Sequence, residues 1–348
     1  MIERLRALLR GRGGPAQLHV LQDGRTLVDE AVGCAPDALF WAFSAGKPFV
    51  ALIVHQLAER GDLALDDPVV RYWPGFGRNG KERVTVRQVL RHRSGMARAR
   101  GTVGDALAMA DWERSVRNIE RAALRWPPGT VPAYQPIVYG FILGEVIRRV
   151  TGADLPEVLR AGLLDPLGLK DTHLGLSDRL WPRHVPVRVR GTTGPLTELV
   201  VNSRRTRAAV IPAAGLSTTA RDLARFYAAM LDGGVRDGVR VVREDTLAEA
   251  LRGADDGQVD RVLGLRVRWA TGFQLGGAGP RPPRRTPMGM LSGSATFGHN
   301  GSNCCIGWAD PRRRLAFACL TAVLPSRREG SQYVGAVSDT VLRAVPPT

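Results

Sequence analysis

Two kinds of hydrophobic spacing divide the chain into strand-rich ends and a helical middle. Residues 16–32 form two short extended runs on either side of Asp23-Gly24, a dipeptide typical of tight turns, and predict a β-hairpin. Residues 306–310 and 315–323 predict two further paired strands, and residues 262–275 alternate like another strand. The predicted strands therefore come from both ends of the chain.

Between these strands, apolar residues recur at the spacing of a buried helix face. The first predicted helix spans residues 44–60, with its apolar face running from Phe49 to Leu57 and a typical C-terminal stop at Gly61. Residues 171–210 show no such period and contain several prolines, so we expect irregular structure there. Further helices are predicted at residues 84–90, 104–125, 137–150, 154–163, 220–231 and 331–344.

The order of these elements predicts an α+β fold. The most economical assembly joins the N- and C-terminal strands in one antiparallel β-sheet flanked by helices. We expect this sheet domain to contain residues 1–76 and 206–348, and residues 77–205 to form an inserted, mainly helical region. No apolar run is long enough to cross a bilayer, so we expect no membrane span.

The composition is that of an ordinary globular protein, with 44% hydrophobic and 24% charged residues among 348. A formal net charge of +16 would suit a nucleic-acid partner, but the arginines are spread along the whole chain. We therefore favour a solvated, arginine-rich surface over nucleic-acid binding. The N-terminus lacks the apolar core and cleavage site of a secretory signal, so we expect a cytoplasmic protein.

The cysteines and histidines do not indicate a metal site. Four cysteines and six histidines show no metal-ligand spacing. Cys304 and Cys305 are adjacent, whereas Cys34 and Cys319 stand apart, and we expect free, largely buried thiols. We expect neither a metal nor another cofactor.

One tetrapeptide carries candidate chemistry: Ser44-Ala45-Gly46-Lys47, at the start of the predicted 44–60 helix. Residues three apart on a helix lie on the same face, so the Lys47 amine would lie beside the Ser44 hydroxyl. A serine hydroxyl becomes a good nucleophile when a neighbouring base takes its proton. Lysine can be that base when burial or nearby positive charge lowers its pKa. The plain alternative is a helix-capping serine beside a solvated lysine.

Lysine is rare in this chain. Of its 49 basic residues, only Lys47, Lys81 and Lys170 are lysines. Arginine cannot act as the base, because it keeps its proton in proteins. A lysine at position 47 therefore favours the nucleophile interpretation without deciding it.

Several blocks, in order along residues 15–345, resemble the serine β-lactamase and penicillin-binding-protein superfamily. The resemblance is to the branch of class C β-lactamases, family VIII esterases, D-aminopeptidases and transacylases. Its nucleophile motif is similar to Ser44-Ala45-Gly46-Lys47-Pro48. Its third motif, Lys-Thr-Gly in lactamases and often His-x-Gly in esterases, is similar to Phe297-Gly298-His299-Asn300-Gly301. Other similar blocks are VTVRQVLRHRSGM at 84–96, Pro128-Gly129-Thr130 with Tyr134 and Tyr139-Gly140, Asp165-Pro166-Leu167-Gly168-Leu169, and Ala214-Gly215-Leu216-Ser217-Thr218.

The resemblance implies a β-lactamase/transpeptidase-like fold with its active site in the cleft between the two predicted regions. Ser44 would be the acylated nucleophile, and Lys47 and Tyr134 would share the transfer of its proton to the leaving group. A basic role for Tyr134 would need cationic neighbours such as Lys47 to lower its pKa. The backbone N–H groups of Ser44 and Ser302, the latter on the strand after Gly301, would form the oxyanion hole.

Two departures from the lactamase pattern change the implied activity. The second motif is Tyr-x-Asn in lactamases and Tyr134-Gln135-Pro136 in this chain, so the amide that contacts a β-lactam acylamino group is missing. His299, expected beside the substrate with Gly301 and Ser302, replaces a lysine and gives no permanent charge for a β-lactam carboxylate. The resemblance therefore implies a serine hydrolase acting through an acyl-enzyme on small esters or amides.

Other functions remain open. The same acyl-enzyme would serve an acyltransferase if an amine or alcohol replaced water. A catalytically silent binding module is a further alternative, suggested by the imperfect second motif and by the bulk of Ser302-Asn303-Cys304-Cys305. Loop 276–287, just upstream of the third motif, is a hypothetical gate. The sequence leaves the substrate and the oligomeric state open.

Overall fold

The computed structural model describes residues 1–190, 194–253, 257–277 and 286–347. Its strands are β1 Ala16–Gln22, β2 Arg25–Val32, β3 Phe40–Trp41, β4 His173–Leu174, β5 Arg188–Val189, β6 Leu216–Thr218, β7 Val235–Arg236, β8 Val239–Arg240, β9 Arg268–Trp269, β10 Gln274–Leu275, β11 Phe297–Gly301, β12 Cys305–Asp310, β13 Leu315–Thr321 and β14 Val323–Leu324. Its helices are α1 Ile2–Gly11, α2 Lys47–Glu59, α3 Val86–Leu90, α4 Gly101–Ala108, α5 Trp112–Arg121, α6 Val138–Thr151, α7 Leu155–Leu159, α8 Gly194–Asn202, α9 Arg204–Ala208, α10 Ala220–Leu231, α11 Glu244–Leu251 and α12 Arg327–Ala344.

The two ends of the chain share one sheet. Within the described ranges, seven strands pair antiparallel in the order β2-β1-β13-β12-β11-β10-β9. The β1–β13 pairing runs from Ala16 opposite Thr321 to Gln22 opposite Leu315. This pairing confirms the predicted α+β fold with one antiparallel sheet flanked by helices.

Successive side chains on a strand point to opposite faces of the sheet, and helices cover both faces. On β13, Phe317 and Cys319 belong to the hydrophobic cluster formed with α1 and α12. The intervening Ala316 and Ala318 belong to the main core, together with the apolar residues of α10. These small side chains allow α10 to pack against β1, β12 and β13.

Helix α2 lies between the sheet and the helices of the middle region. All its residues from Lys47 to Leu57 are buried, so it is enclosed on every side rather than on the one predicted face. It packs against α6, α7, α11 and β11. Ser44 does not cap this helix, because Phe43–Gly46 form a 3₁₀ turn and α2 begins only at Lys47.

Three other predictions differ from the structure. The predicted helix 104–125 is divided into α4 and α5. The Asp111 side chain accepts a hydrogen bond from Arg114 N and so caps the N-terminus of α5. The predicted strand 262–275 is reduced to the short strands β9 and β10. The described part of residues 171–210 contains β4, β5, α8 and α9, although we expected irregular structure.

The predicted boundaries between the sheet domain and residues 77–205 stay a prediction. Strand β4 pairs with β6, and β5 pairs with β14, so hydrogen bonds join the two predicted regions. Of the hypothetical gate at 276–287, residues 278–285 lie outside the described residues. In the described ranges, no helix is both long and apolar enough to cross a membrane. All four cysteines are free thiols, and Cys304, Cys305 and Cys319 are buried, as expected.

Gly307 on β12 lies directly against the Tyr227 ring of α10. A Cβ atom at position 307 would lie 2.3 Å from Tyr227 Cε2. Because a packed interior relaxes only partly, we expect Gly307→Ala to lower the free energy of unfolding by about 1–3 kcal/mol. Urea denaturation followed by circular dichroism measures this. Gly11→Ala is the control, since no atom lies within 4 Å of its added Cβ; equal losses in both variants would contradict the close packing of α10.

Candidate active site

Ser44 lies in the 3₁₀ turn between β3 and α2. The preceding residue, Phe43, has a φ of 50°, a left-handed conformation that is rare for a bulky side chain. Strand β11 passes immediately beside this turn, since a Cβ on Gly301 would lie 2.1 Å from Ala42 O and 3.0 Å from Ala45 N. This turn, Phe43–Gly46, is called the nucleophile turn after the predicted role of Ser44. It is held between α2 and the end of β11.

The amine of Lys47 is fully enclosed next to Ser44. Its Nζ lies 3.0 Å from Ser44 Oγ, 2.8 Å from Pro136 O and 3.0 Å from Ala213 O. Burial holds the pKa of Lys47 well below its usual range and so favours the neutral amine. A neutral amine has two N–H groups and one lone pair. The two carbonyls can accept the N–H groups, which leaves the lone pair to accept the Ser44 O–H.

Tyr134 approaches Ser44 from another side. Its Oη donates a hydrogen bond to Ser44 Oγ over 2.6 Å. Burial raises the pKa of Tyr134; the Ser44 hydrogen bond opposes this rise, and the negative charge of Asp260 adds to it. The lowered pKa that a basic role of Tyr134 would need is therefore not found. In the resting site Tyr134 is a protonated donor, not a base.

His299 is buried on β11, with its ring centroid 6.3 Å from that of Tyr134. Its Nδ1 lies 2.9 Å from the carbonyl oxygen of Asn300, which fixes the proton on Nδ1. Its Nε2 is buried and has no hydrogen-bond partner in the described part of the chain. Burial, more than the nearby Lys47 amine, lowers the pKa of His299 to about 3. His299 is therefore neutral at neutral pH, as the sequence predicted.

Ser302 is not on a strand. Strand β11 ends at Gly301, opposite Cys305, and Ser302 follows in the turn to β12 with a φ of 51°. The prediction that Ser302 lies on the strand after Gly301 is therefore wrong. Its side chain is exposed, and the role of its N–H group in an oxyanion hole stays a prediction.

Two side chains that the sequence did not link to the site, those of Trp269 and Asp260, also contact Tyr134. The Trp269 ring stacks on the Tyr134 ring, with centroids 5.5 Å apart and planes 6° apart. The buried carboxylate of Asp260 accepts hydrogen bonds from Tyr134 N at 3.0 Å and from Trp269 Nε1 at 3.2 Å. A strand position was predicted for Trp269, but nothing in the sequence linked Trp269 or Asp260 to Tyr134.

Comparison with known proteins decides the family. The sequence model of the family described as Beta-lactamase matches residues 4–337. The chain belongs to the Beta-lactamase family. Among curated proteins, Esterase/beta-lactamase LipL of Mycobacterium tuberculosis is 32% identical over an alignment of 353 positions, gaps included, that spans 89% of this chain and 77% of LipL.

Solved structures support the same family assignment. A family VIII carboxylesterase superposes with a TM-score of 0.81 at 26% identity, covering 98% of this chain and 97% of the other. A penicillin-binding protein homologue from Caulobacter crescentus superposes with a TM-score of 0.80 at 26% identity and the same coverage. The resemblance seen in the sequence is thus confirmed.

The second motif of this Beta-lactamase-family chain, Tyr134-Gln135-Pro136, packs into the protein through Gln135 and Pro136. Pro136 has no side-chain amide, and its carbonyl accepts a hydrogen bond from Lys47. Gln135 is fully buried, where its side-chain amide donates to Ser94 Oγ over 2.9 Å and its backbone N–H donates to His92 Nδ1 over 3.3 Å. These contacts attach Gln135 to His92 and Ser94 in the 84–96 block. The described residues hold no group of three or more His, Cys, Asp or Glu side chains placed for a metal ion.

In this Beta-lactamase-family site, Gly301 is the point where β11 approaches the nucleophile turn. We expect Gly301→Ala to slow the reaction of Ser44 with a fluorophosphonate by about 10²-fold, because the new Cβ forces the strand away from Ala42. Intact-protein mass over time gives the rate. Gly293→Ala, whose Cβ meets no atom within 4 Å, should react like the parent. A parent-like rate for Gly301→Ala would show that this close approach does not matter.

Proposed function

We propose that the protein is a serine hydrolase that cleaves small esters, or comparable amides, through an acyl-enzyme on Ser44. One arrangement carries the proposal: Ser44 Oγ lies 3.0 Å from Lys47 Nζ and 2.6 Å from Tyr134 Oη. A hydroxyl placed in this way has a base on one side and an acid on the other. The esterase names of two relatives, LipL and the family VIII carboxylesterase, support the same activity.

In the first half-reaction, Lys47 Nζ takes the Ser44 proton while Oγ attacks the ester carbonyl carbon. The charge on the carbonyl oxygen would be stabilised by the backbone N–H groups of Ser44 and Ser302, at about 3 kcal/mol per donor. Tyr134 gives its proton to the leaving alkoxide as the acyl–oxygen bond breaks, and Lys47 returns a proton to Tyr134. Water then attacks the acyl carbon and gives a proton to Lys47, and that proton passes to Ser44 Oγ as the acyl–Oγ bond breaks and the acid is released.

The groups around Ser44 favour an uncharged substrate. His299 is neutral, and the pKa of Lys47 is lowered, so neither supplies a permanent cation for a substrate carboxylate. Pro136 cannot supply an amide for an acylamino group. We therefore propose short-chain neutral esters as the substrate class and expect β-lactams to turn over slowly.

The acyl-enzyme is tested by intact-protein mass after exposure to a fluorophosphonate and, separately, to p-nitrophenyl acetate. We expect one adduct on the parent and none on Ser44→Ala, because that variant lacks the attacking oxygen. Ser302→Ala is the matched control and should still form the adduct, since its proposed role uses only the backbone N–H. Absence of any adduct on folded parent protein would overturn the hydrolase proposal in favour of a silent binding module.

The pH profile tests the proton roles of Lys47 and Tyr134. Lys47 must be neutral to act as a base, so kcat/KM for p-nitrophenyl acetate should rise as pH rises through its lowered pKa. Tyr134 must stay protonated, and its pKa is raised, so we expect no fall below pH of about 10. Lys47→Arg should lose activity at every pH. A decline in kcat/KM between about pH 7 and 9 would contradict these assignments.

A further inference from the structure

Asp260 is a fully buried carboxylate behind Tyr134 and is not one of the proposed catalytic residues. A buried carboxylate is costly unless hydrogen-bond donors surround it. Asp260 has such donors: its two oxygens accept from the backbone N–H groups of Tyr134, Val262 and Leu263 and from the indole Nε1 of Trp269. The carboxylate therefore joins three separate parts of the chain at one point.

The turn that carries Asp260 is attached to the Tyr134 segment at two neighbouring places. Tyr134 N donates to both Asp260 oxygens, at 3.2 and 3.0 Å. Arg261 N donates to Pro132 O at 2.9 Å. Two attachments so close together fix both the position and the direction of the main chain at Tyr134.

Trp269 extends the same connection to the Tyr134 ring. Its Nε1 donates to Asp260 over 3.2 Å, while its ring lies nearly parallel to the Tyr134 ring. The Trp269 ring also packs edge-on against His92, with centroids 4.4 Å apart. Asp260 thus acts on the Tyr134 main chain directly and on its ring through Trp269.

We propose that Asp260 is a positioning residue that holds the Tyr134 hydroxyl in place against Ser44. The inference rests on the proposed acyl-enzyme reaction, in which Tyr134 donates to the leaving group. A shift of about 1 Å in a group that reacts can lower the rate by about 10²-fold. The negative charge of Asp260 acts in the same direction, because it raises the pKa of Tyr134 and so keeps the phenol protonated.

The test compares Asp260→Asn in the parent and in a Tyr134→Phe background. Asparagine matches aspartate in size, but its NH₂ group must face one of the four N–H donors, which weakens the connection. We expect kcat for ethyl acetate, whose alkoxide leaving group needs the Tyr134 proton, to fall at least about tenfold in the parent, with KM changed less than about threefold. In Tyr134→Phe the same substitution should change kcat less than about threefold, because the hydroxyl that it positions is gone. For slow variants, acetate release from ethyl acetate at high enzyme concentration gives the same comparison.

Two further variants separate positioning from general destabilisation. Trp269→Phe keeps a ring on Tyr134 but removes the Nε1–H donor, so it should lower kcat in the parent and not in Tyr134→Phe. This variant carries the test if Asp260→Asn does not fold. Asp310→Asn is the matched control: Asp310 is a buried carboxylate bound by Arg313 at the other end of β12, and its loss should leave kcat unchanged.

Two results would overturn the positioning role: parent-like kcat in Asp260→Asn, or equal losses in the parent and in Tyr134→Phe. A different failure would count against the proposed function instead. If the parent neither hydrolyses the ester nor forms an adduct on Ser44, the hydrolase proposal fails regardless of Asp260. The parent measurement therefore distinguishes the two.

Discussion

The site depends on keeping one amine away from water. In water, Lys47 would hold its proton and could not act as a base toward Ser44. The structure prevents this by enclosing α2 on every side, so that the amine finds its partners only in the protein. The carbonyls of Pro136 and Ala213 accept from it, and Ser44 is the third neighbour. The packing of α2 between the sheet and the middle helices is thus also what would make the proposed chemistry possible.

Lys81 shows that enclosure alone does not make a base. Its side chain is as buried as that of Lys47, and burial lowers its pKa too. Its Nζ, however, donates to three backbone carbonyls, those of Arg78, Glu120 and Ala122. Both enclosed sites suit the compact head of lysine better than a planar guanidinium. Two of the three lysines thus occupy enclosed sites, whereas Lys170 is exposed, and the Ser44 hydroxyl distinguishes the site of Lys47.

The sequence predicted features that repeat locally or match a motif. The 16–32 hairpin, helix α10 and the pairing of terminal strands followed from spacing, and the Ser44, Lys47 and Tyr134 set followed from resemblance. It did not predict the connection between Asp260 and Tyr134, because 126 residues separate them and the bond goes to a backbone N–H that every residue offers. It also misplaced Ser302, since a strand pattern does not show where the hairpin turns.

Proton positions around Ser44 follow from burial more than from paired charges. Desolvation lowers the pKa values of Lys47 and His299 and raises that of Tyr134, so burial favours the neutral form of each group. A neutral set can pass one proton from Ser44 to Lys47 and another from Tyr134 to a leaving group without first separating charge in the resting state. A negatively charged substrate would have to lose its hydration among groups that carry no permanent positive charge. The net charge of +16 is therefore no argument for a negatively charged substrate, because the residues beside Ser44 favour their neutral forms.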